Sequence, residues 1–213
     1  MLDFLVVGSG LTGATVARQL HDAGRKVLVV ERRSHQGGNV HDFTRHGIRV
    51  HTYGPHYFRT NNENIWRYVN RFASWWKYEP CLQTESLGEL FPWPPTSDLV
   101  ASMDDGWRWD GVPTDFETAC LSKMPERVYR RFVEGYTRKQ WGCEPSLLDA
   151  SLAGRFDVRD TDLRLKRHRH QGIPVDGYHA FMQRMLEGIP VHMNTRYDGE
   201  RADRIVYTGP VDA

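Results

Sequence analysis

Three glycines, Gly8, Gly10 and Gly13, stand between an apolar run and a helix-spaced segment, and this constrains the fold more than any other feature. Residues 2–7 read as a short parallel strand buried on both faces. Residues 14–23 have helical spacing, with Val16, Ala17 and Leu20 on one face and Gly24 as the cap. Residues 26–30 form a second apolar strand that ends at Glu31. This is a βαβ unit carrying G-x-G-x-x-G at its first turn. The first glycine permits the tight turn, the second lets the backbone approach a pyrophosphate, and the third lets helix and strand pack closely. The free N–H groups at the helix start favour phosphate, and a carboxylate closing the second strand can accept ribose hydroxyl groups. The expected class is α/β, with a Rossmann-like dinucleotide-binding domain.

Beyond residue 33 the pattern is more varied. Gly37-Gly38-Asn39 reads as a turn, 47–52 as a strand, 53–60 as an aromatic, histidine-containing loop and 64–73 as an amphipathic helix. Residues 87–95 suggest a hairpin or extended segment broken by prolines. Helices are expected between 97 and 141, most clearly over 116–123 and 126–136, as an inserted subdomain. Residues 151–170 are polar and basic (Arg155, Arg159, Arg164, Lys166, Arg167, Arg169) and read as a solvated or mobile loop. A strand over 173–175, a helix over 178–186 and strands over 191–195 and 204–207 complete the reading. The expected organisation is 1–85 for the βαβ unit and histidine loop, 86–160 for the helical subdomain, and 161–213 for part of a second sheet with return strands.

Charge excludes some classes. The chain has 28 Lys+Arg against 27 Asp+Glu, which offers no electrostatic reason for a nucleic-acid partner. No apolar run is long enough to span a bilayer, and the first residues lack the basic and small-residue pattern of a signal peptide. Cys81, Cys120 and Cys143 fit no metal spacing. The expectation is reduced thiols in a cytoplasmic protein, with no metal site and no membrane association.

NAD and FAD share the glycine fingerprint. The run Glu31-Arg32-Arg33 followed by Gly37-Gly38-Asn39 resembles the glutathione-reductase-like FAD family, which makes FAD the expected cofactor. Further motifs resemble the UDP-galactopyranose mutase family in collinear order. Gly8-Ser9-Gly10-Leu11-Thr12-Gly13-Ala14 is similar to its G-S-G-x-x-G-A, and His51 to Asn61 to its H-x-Y-G-x-H-x-F-H-T-N loop. Tyr136-Thr137-Arg138-Lys139-Gln140-Trp141-Gly142 matches Y-T-x-K-Q-W-G, Arg155 to Arg159 is similar to R-x-P-V-R, and Gln171 to Tyr178 to Q-G-I-P-x-x-G-Y. Thr208-Gly209-Pro210 is similar to the end of the strand that returns to the flavin domain.

The resemblance implies a flavin-dependent isomerase that interconverts UDP-galactopyranose and UDP-galactofuranose through a reduced-flavin N5–sugar adduct, with no net redox change. NAD(P)H is the implied reductant, and cell-wall polysaccharide biosynthesis the implied setting. It places FAD on Gly8, Gly10, Leu11, Thr12, Gly13, Glu31, Arg32, Gly38, Asn39 and His56. It places substrate on Phe132, Tyr136, Thr137, Trp141 and Arg159. Tyr136 stacks on uracil with Phe132 beside it, and Trp141 borders the diphosphate. Arg159 clamps the pyrophosphate and His56 lies against the flavin, which makes these two the implied catalytic groups. The full expected class is then a Rossmann-like FAD-binding domain with an inserted helical subdomain and part of a substrate-domain β-sheet.

Departures accompany the resemblance. Asp157 stands where proline is usual, Leu165 where a substrate-facing tyrosine is expected, and Arg59 where the family has histidine. The chain is expected to stop before the family's usual end, leaving open a fragment, a short or split homologue completed by a homodimer or a complementing C-terminal chain, or a non-catalytic dinucleotide-binding remnant. An FAD-dependent oxidoreductase of the amine-oxidase type shares the N-terminal unit but lacks Y-T-x-K-Q-W-G.

Overall fold

The computed structural model describes residues 2–104, 106–199 and 202–210. The chain divides into two compact units, one built from residues up to 78 together with 168 onward, the other from Glu79–Arg167. The first opens with β1 (Phe4–Val7), α1 (Leu11–Asp22) and β2 (Val27–Val30), then β3 (Asp42–Arg45), β4 (Ile48–His51), β5 (Phe58–Thr60), α2 (Glu63–Val69) and β6 (Trp75–Lys77). The second holds β7 (Leu82–Ser86), β8 (Glu89–Trp93), α3 (Ser97–Ser102), α4 (Phe116–Leu121), α5 (Glu126–Tyr129) and α6 (Gly135–Trp141). The chain returns to the first unit with β9 (His170–Pro174), α7 (Gly177–Met185), β10 (Val191–His192) and β11 (Arg204–Tyr207).

The first unit is Rossmann-like. Its parallel sheet has the order β10-β2-β1-β11, with Val6 beside Val29 and Val206. Leu5, Val6, Val29 and Val30 are fully or almost fully buried, as a sheet covered on both faces requires. Helices α1 and α7 pack there, burying Ala14, Ala17, Phe181, Met182 and Met185. A second, antiparallel sheet β5-β9-β6 presents Phe58 and Trp75 to the same core. Residues 58–60 belong to a loop on the sequence pattern. They become a strand because β9, distant in sequence, supplies their hydrogen-bonding partners.

In the second unit β7 and β8 form the hairpin, turning at Leu87-Gly88 with both residues at positive φ. The helix expected over 126–136 extends to 141 and contains a π-helical turn, Arg130–Glu134, between α5 and α6. Its core gathers Phe116, Met124, Val128, Tyr129, Val133 and Phe156. The basic segment expected to be solvated or mobile is anchored inside this unit as far as residue 167, and Arg169 pairs with Glu63 in the first unit. Arg164 pairs with Glu79 and Asp162, Leu165 N–H donates to Pro80 O, and the Asp160 carboxylate accepts from Ser97. These bonds hold 161–167 with 79–81, so the cut expected at 161 falls inside a compact unit.

Candidate functional site

The first unit contains a cleft of about 710 Å³ at the C-terminal ends of its parallel strands, where open α/β sheets bind ligands. Gly8, Gly10, Leu11 and Thr12 form one wall, Gly37, Gly38, Asn39 and Val40 another, and Glu31, Arg32 and Arg33 the end of β2. The three fingerprint glycines do different work. Gly8 has φ +102°, and a Cβ there would lie 2.5 Å from Thr208 Oγ1. A Cβ on Gly13 would lie 1.9 Å from Gly8 O, so this position lets the helix sit on the turn and does not line the cleft. A Cβ on Gly10 would meet nothing nearer than Gly38 Cα at 3.9 Å. Gly10 therefore leaves space for a ligand rather than for the protein's own packing.

These features fit a dinucleotide. The N-terminus of α1 has Gly10 as its cap, no side-chain capping bond and no acidic residue in its first turn, so its N–H groups are open to an anion. Glu31 is 5% exposed. Its Oε2 accepts from Ser9 N–H at 2.9 Å and Ser9 Oγ–H at 2.8 Å, and its Oε1 accepts from Arg33 N–H at 2.9 Å. Burial works against the charge, but the bonds from Arg33 and Ser9 outweigh it and hold the carboxyl below its ordinary range. Three of roughly four acceptor positions are thus occupied within the protein, leaving about one for a ribose hydroxyl.

Sequence reasoning passed over Ser9, which orients Glu31, and over Thr195, Arg196, Tyr197 and Tyr207, which line the cleft. Thr195 N–H donates to Glu31 O at 2.9 Å, bringing that segment alongside β2. The available signal was position, because all follow or end parallel strands. His56 does not line this cleft. Its Nδ1 is 2.8 Å from Gly54 O, so Nδ1 carries the proton and Nε2 is left as an acceptor in the neutral ring.

The residues implied for substrate lie in the second unit. Tyr136, on α6, is 53% exposed, with Phe156 edge-on at 6.5 Å. Trp141 ends the same helix and is 47% exposed, and the left-handed Gly142 then redirects the chain. Phe132 is 8% exposed and packs edge-on to Phe91 at 5.2 Å, under the Arg131 guanidinium at 5.4 Å from its ring. Thr137 is buried, and its hydroxyl has no partner among the described residues. Arg159 folds onto its own loop, with Nη1 donating to Arg164 O at 3.1 Å and to Asp162 O at 3.4 Å. The structure thus gathers the residues implied for cofactor in the first unit, with Gly13 and His56 not lining its cleft, and those implied for substrate in the second.

Residues 6–72 match the NAD(P)-binding Rossmann-like domain model, and residues 131–213 match the UDP-galactopyranose mutase model. The chain is 36% identical to a dTDP-fucopyranose mutase of Escherichia coli, covering 94% of this chain and 57% of that protein. It is 35% identical to a probable UDP-galactopyranose mutase of Klebsiella pneumoniae, covering 99% and 61% respectively. A crystal structure of reduced UDP-galactopyranose mutase shares the fold with a TM-score of 0.74 at 18% identity, over 100% of this chain and 56% of that one. The chain therefore spans about three fifths of the length of the curated relatives it matches. In its collinear motifs, its Rossmann-like unit and these similarities, the chain belongs to the UDP-galactopyranose mutase family.

Proposed function

We propose that this chain is the flavin- and nucleotide-binding part of a mutase that interconverts pyranose and furanose forms of a nucleoside-diphosphate hexose, with UDP-galactose as the substrate. The observation that carries this reading is the match to two curated mutases over 94% and 99% of the chain. Those relatives are named for a UDP sugar and a dTDP sugar, so the shared chemistry is a pyrimidine nucleoside diphosphate on a hexose. As the chain spans about three fifths of those relatives, activity is assigned to it together with whatever completes that length: the same polypeptide, a complementing chain or a second copy. Three unpaired thiols accompany a cytoplasmic setting for the reading, with cell-wall polysaccharide biosynthesis the pathway that would use the furanose product.

Reduced FAD, with NAD(P)H as electron source, would supply the nucleophile N5 for the anomeric carbon and leave without net redox change. This chain's residues supply binding and orientation. The Gly8–Gly10 backbone and the start of α1 hold the pyrophosphate, Glu31 accepts from a ribose hydroxyl, and Arg32 and Asn39 border the dinucleotide. The half-exposed Tyr136 ring offers a stacking face for the pyrimidine, and Trp141 lies on the same helix. Phe132 supports the aromatic cluster from beneath rather than presenting a free face. Arg159 exchanges its two loop carbonyls for diphosphate oxygens, a change from neutral to charged acceptors that favours the bound state. The loop that carries His56, pinned by its Nδ1 contact to Gly54 O, is assigned to the flavin by the family resemblance alone, since His56 does not line the cleft.

The test is the visible spectrum of the purified chain after FAD is added and excess removed, followed by reduction and chromatographic assay of UDP-galactofuranose turnover. A retained flavin band with turnover supports the reading. A chain that retains flavin, binds neither UDP nor UDP-galactose and consumes oxygen with an amine would replace it with the amine-oxidase reading.

A further inference from the structure

Beside the dinucleotide cleft lies a cluster of rings without a task in the reading above. His35 and His41 stack with centroids 3.8 Å apart and planes 24° apart. In sequence they bracket Gly37, Gly38, Asn39 and Val40, which form one wall of the cleft. Both rings are tied to the segment after β4. His35 Nε2 is 2.8 Å from the Tyr53 hydroxyl, and His41 Nδ1 is 2.7 Å from the Thr52 hydroxyl. His35 Nδ1 faces Gln36 O at 3.1 Å, so it carries the proton while Nε2 accepts from Tyr53. The wall is held by backbone bonds from Gly37 N–H to Ser9 O at 3.0 Å and from Val40 N–H to Gly37 O at 3.1 Å.

The charges around the stack oppose protonation. The Arg33 guanidinium lies 4.5 Å over the Tyr53 ring and donates to Asn39 Oδ1. His179 of α7 meets His41 edge-on at 5.8 Å, and Phe43 lies near-parallel to it at 6.4 Å. Asp42 is the carboxylate facing His41 among the described residues, and its two oxygens accept from Tyr178 and His179 N–H groups. Burial, then His35 and His179, hold His41 below the ordinary histidine value, with Asp42 opposing and Arg33 adding to the depression. Two protons on the stack would set like charges 3.8 Å apart.

We propose that the His35–His41 stack is a positioning device for the wall formed by residues 37–40, holding it in its dinucleotide-binding form while His41 is neutral and releasing it when acid protonates His41. The proposal rests on the cleft being the FAD site. It assigns His35 and His41 as positioning residues, since neither lines the cleft.

The direct test is hydrogen exchange at the Gly37 and Val40 amides of the whole chain between about pH 7.5 and 5.5, the range in which histidine titrates. After correction for intrinsic exchange, their protection should fall several-fold in the wild type. That is the direction expected when His41 protonates less readily in the held wall than in the released one. His41→Gln, which keeps a partner for Thr52, should hold protection level, as should His41→Phe, which keeps a flat ring in the stack. The FAD dissociation constant, read from flavin fluorescence, should rise with acid in the wild type and stay flat in both variants. Constant protection in the wild type, or an equal fall in both variants, overturns the proposal. A pH-dependent wall in a chain that takes up no FAD would instead sink the cofactor reading while the device stands.

Discussion

Gly10 and Gly13 sit three residues apart in one motif and fail differently when substituted. A Cβ on Gly13 would lie 1.9 Å from a backbone oxygen, with no side chain to move aside. Gly13→Ala should therefore lower the unfolding free energy toward the upper end of the roughly 1–3 kcal/mol range for overpacking, measured in urea. Gly10 has φ −70°, open to any residue, and free space toward the cleft. Gly10→Val should leave the unfolding midpoint near the wild type while abolishing flavin retention, and a normal flavin band would remove the cleft assignment. Glu31 adds a pH prediction. Its carboxyl is held below 4.5, so its stabilisation is complete above that value and fades as pH falls through the lower folded value. Glu31→Gln should cost about 1–3 kcal/mol at neutral pH, a gap that narrows in acid denaturant titrations and that should not persist at low pH. Arg159→Ala should cut turnover at least roughly a hundredfold while flavin stays bound, because Arg159 lies in the other unit from the cleft. Flavin loss in that variant would contradict its assignment to the diphosphate.

At the scale of elements, the motifs announced β1, α1 and β2, whose apolar runs and glycine punctuation are local signals. Boundaries moved where caps decided them. Helix α1 begins at Leu11 because Gly10 serves as its cap, ahead of the apolar spacing that starts at 14. Helix α7 shows what composition hides. Its N-terminus is capped from a distance by Asp42 of β3, whose oxygens accept from Tyr178 and His179 N–H groups at 2.8 Å each. Asp42 is 2% exposed, so removing its carboxylate orphans two donors at a buried helix end. Asp42→Ala should destabilise the fold by about 2–4 kcal/mol, two charged bonds being lost. Circular dichroism during urea unfolding would measure it, and a loss under about 0.5 kcal/mol would mean the cap contributes little.

At the scale of the whole molecule, two separate cores organise the chain, one around Val6, Phe181 and Met182, the other around Met124, Val128 and Phe156. The chain leaves the first unit after Tyr78 and rejoins it at His168. Tyr78 N–H donates to Gln171 O at 3.3 Å, so exit and re-entry run side by side. Replacing residues 79–167 with a short Gly/Ser linker should leave a first unit that unfolds cooperatively and keeps its flavin cleft. A non-cooperative melt of that variant would show that the first core is not self-sufficient.

What the sequence alone determined was local or motif-borne: the glycine fingerprint, the acid at the end of β2, the collinear mutase motifs and hence the family. Each rests on neighbours in the chain or on a pattern that a single stretch carries. Only the tertiary structure decided that Ser9 and Arg33 consume most of Glu31's acceptor capacity, that Thr195 and Tyr207 reach the cleft, and that β5 is a strand. It likewise decided that Arg159 rests on its own loop and that Asp42 caps α7. These depend on partners far apart along the chain. Hydrogen-bond satisfaction and burial are settled only when such segments meet in space.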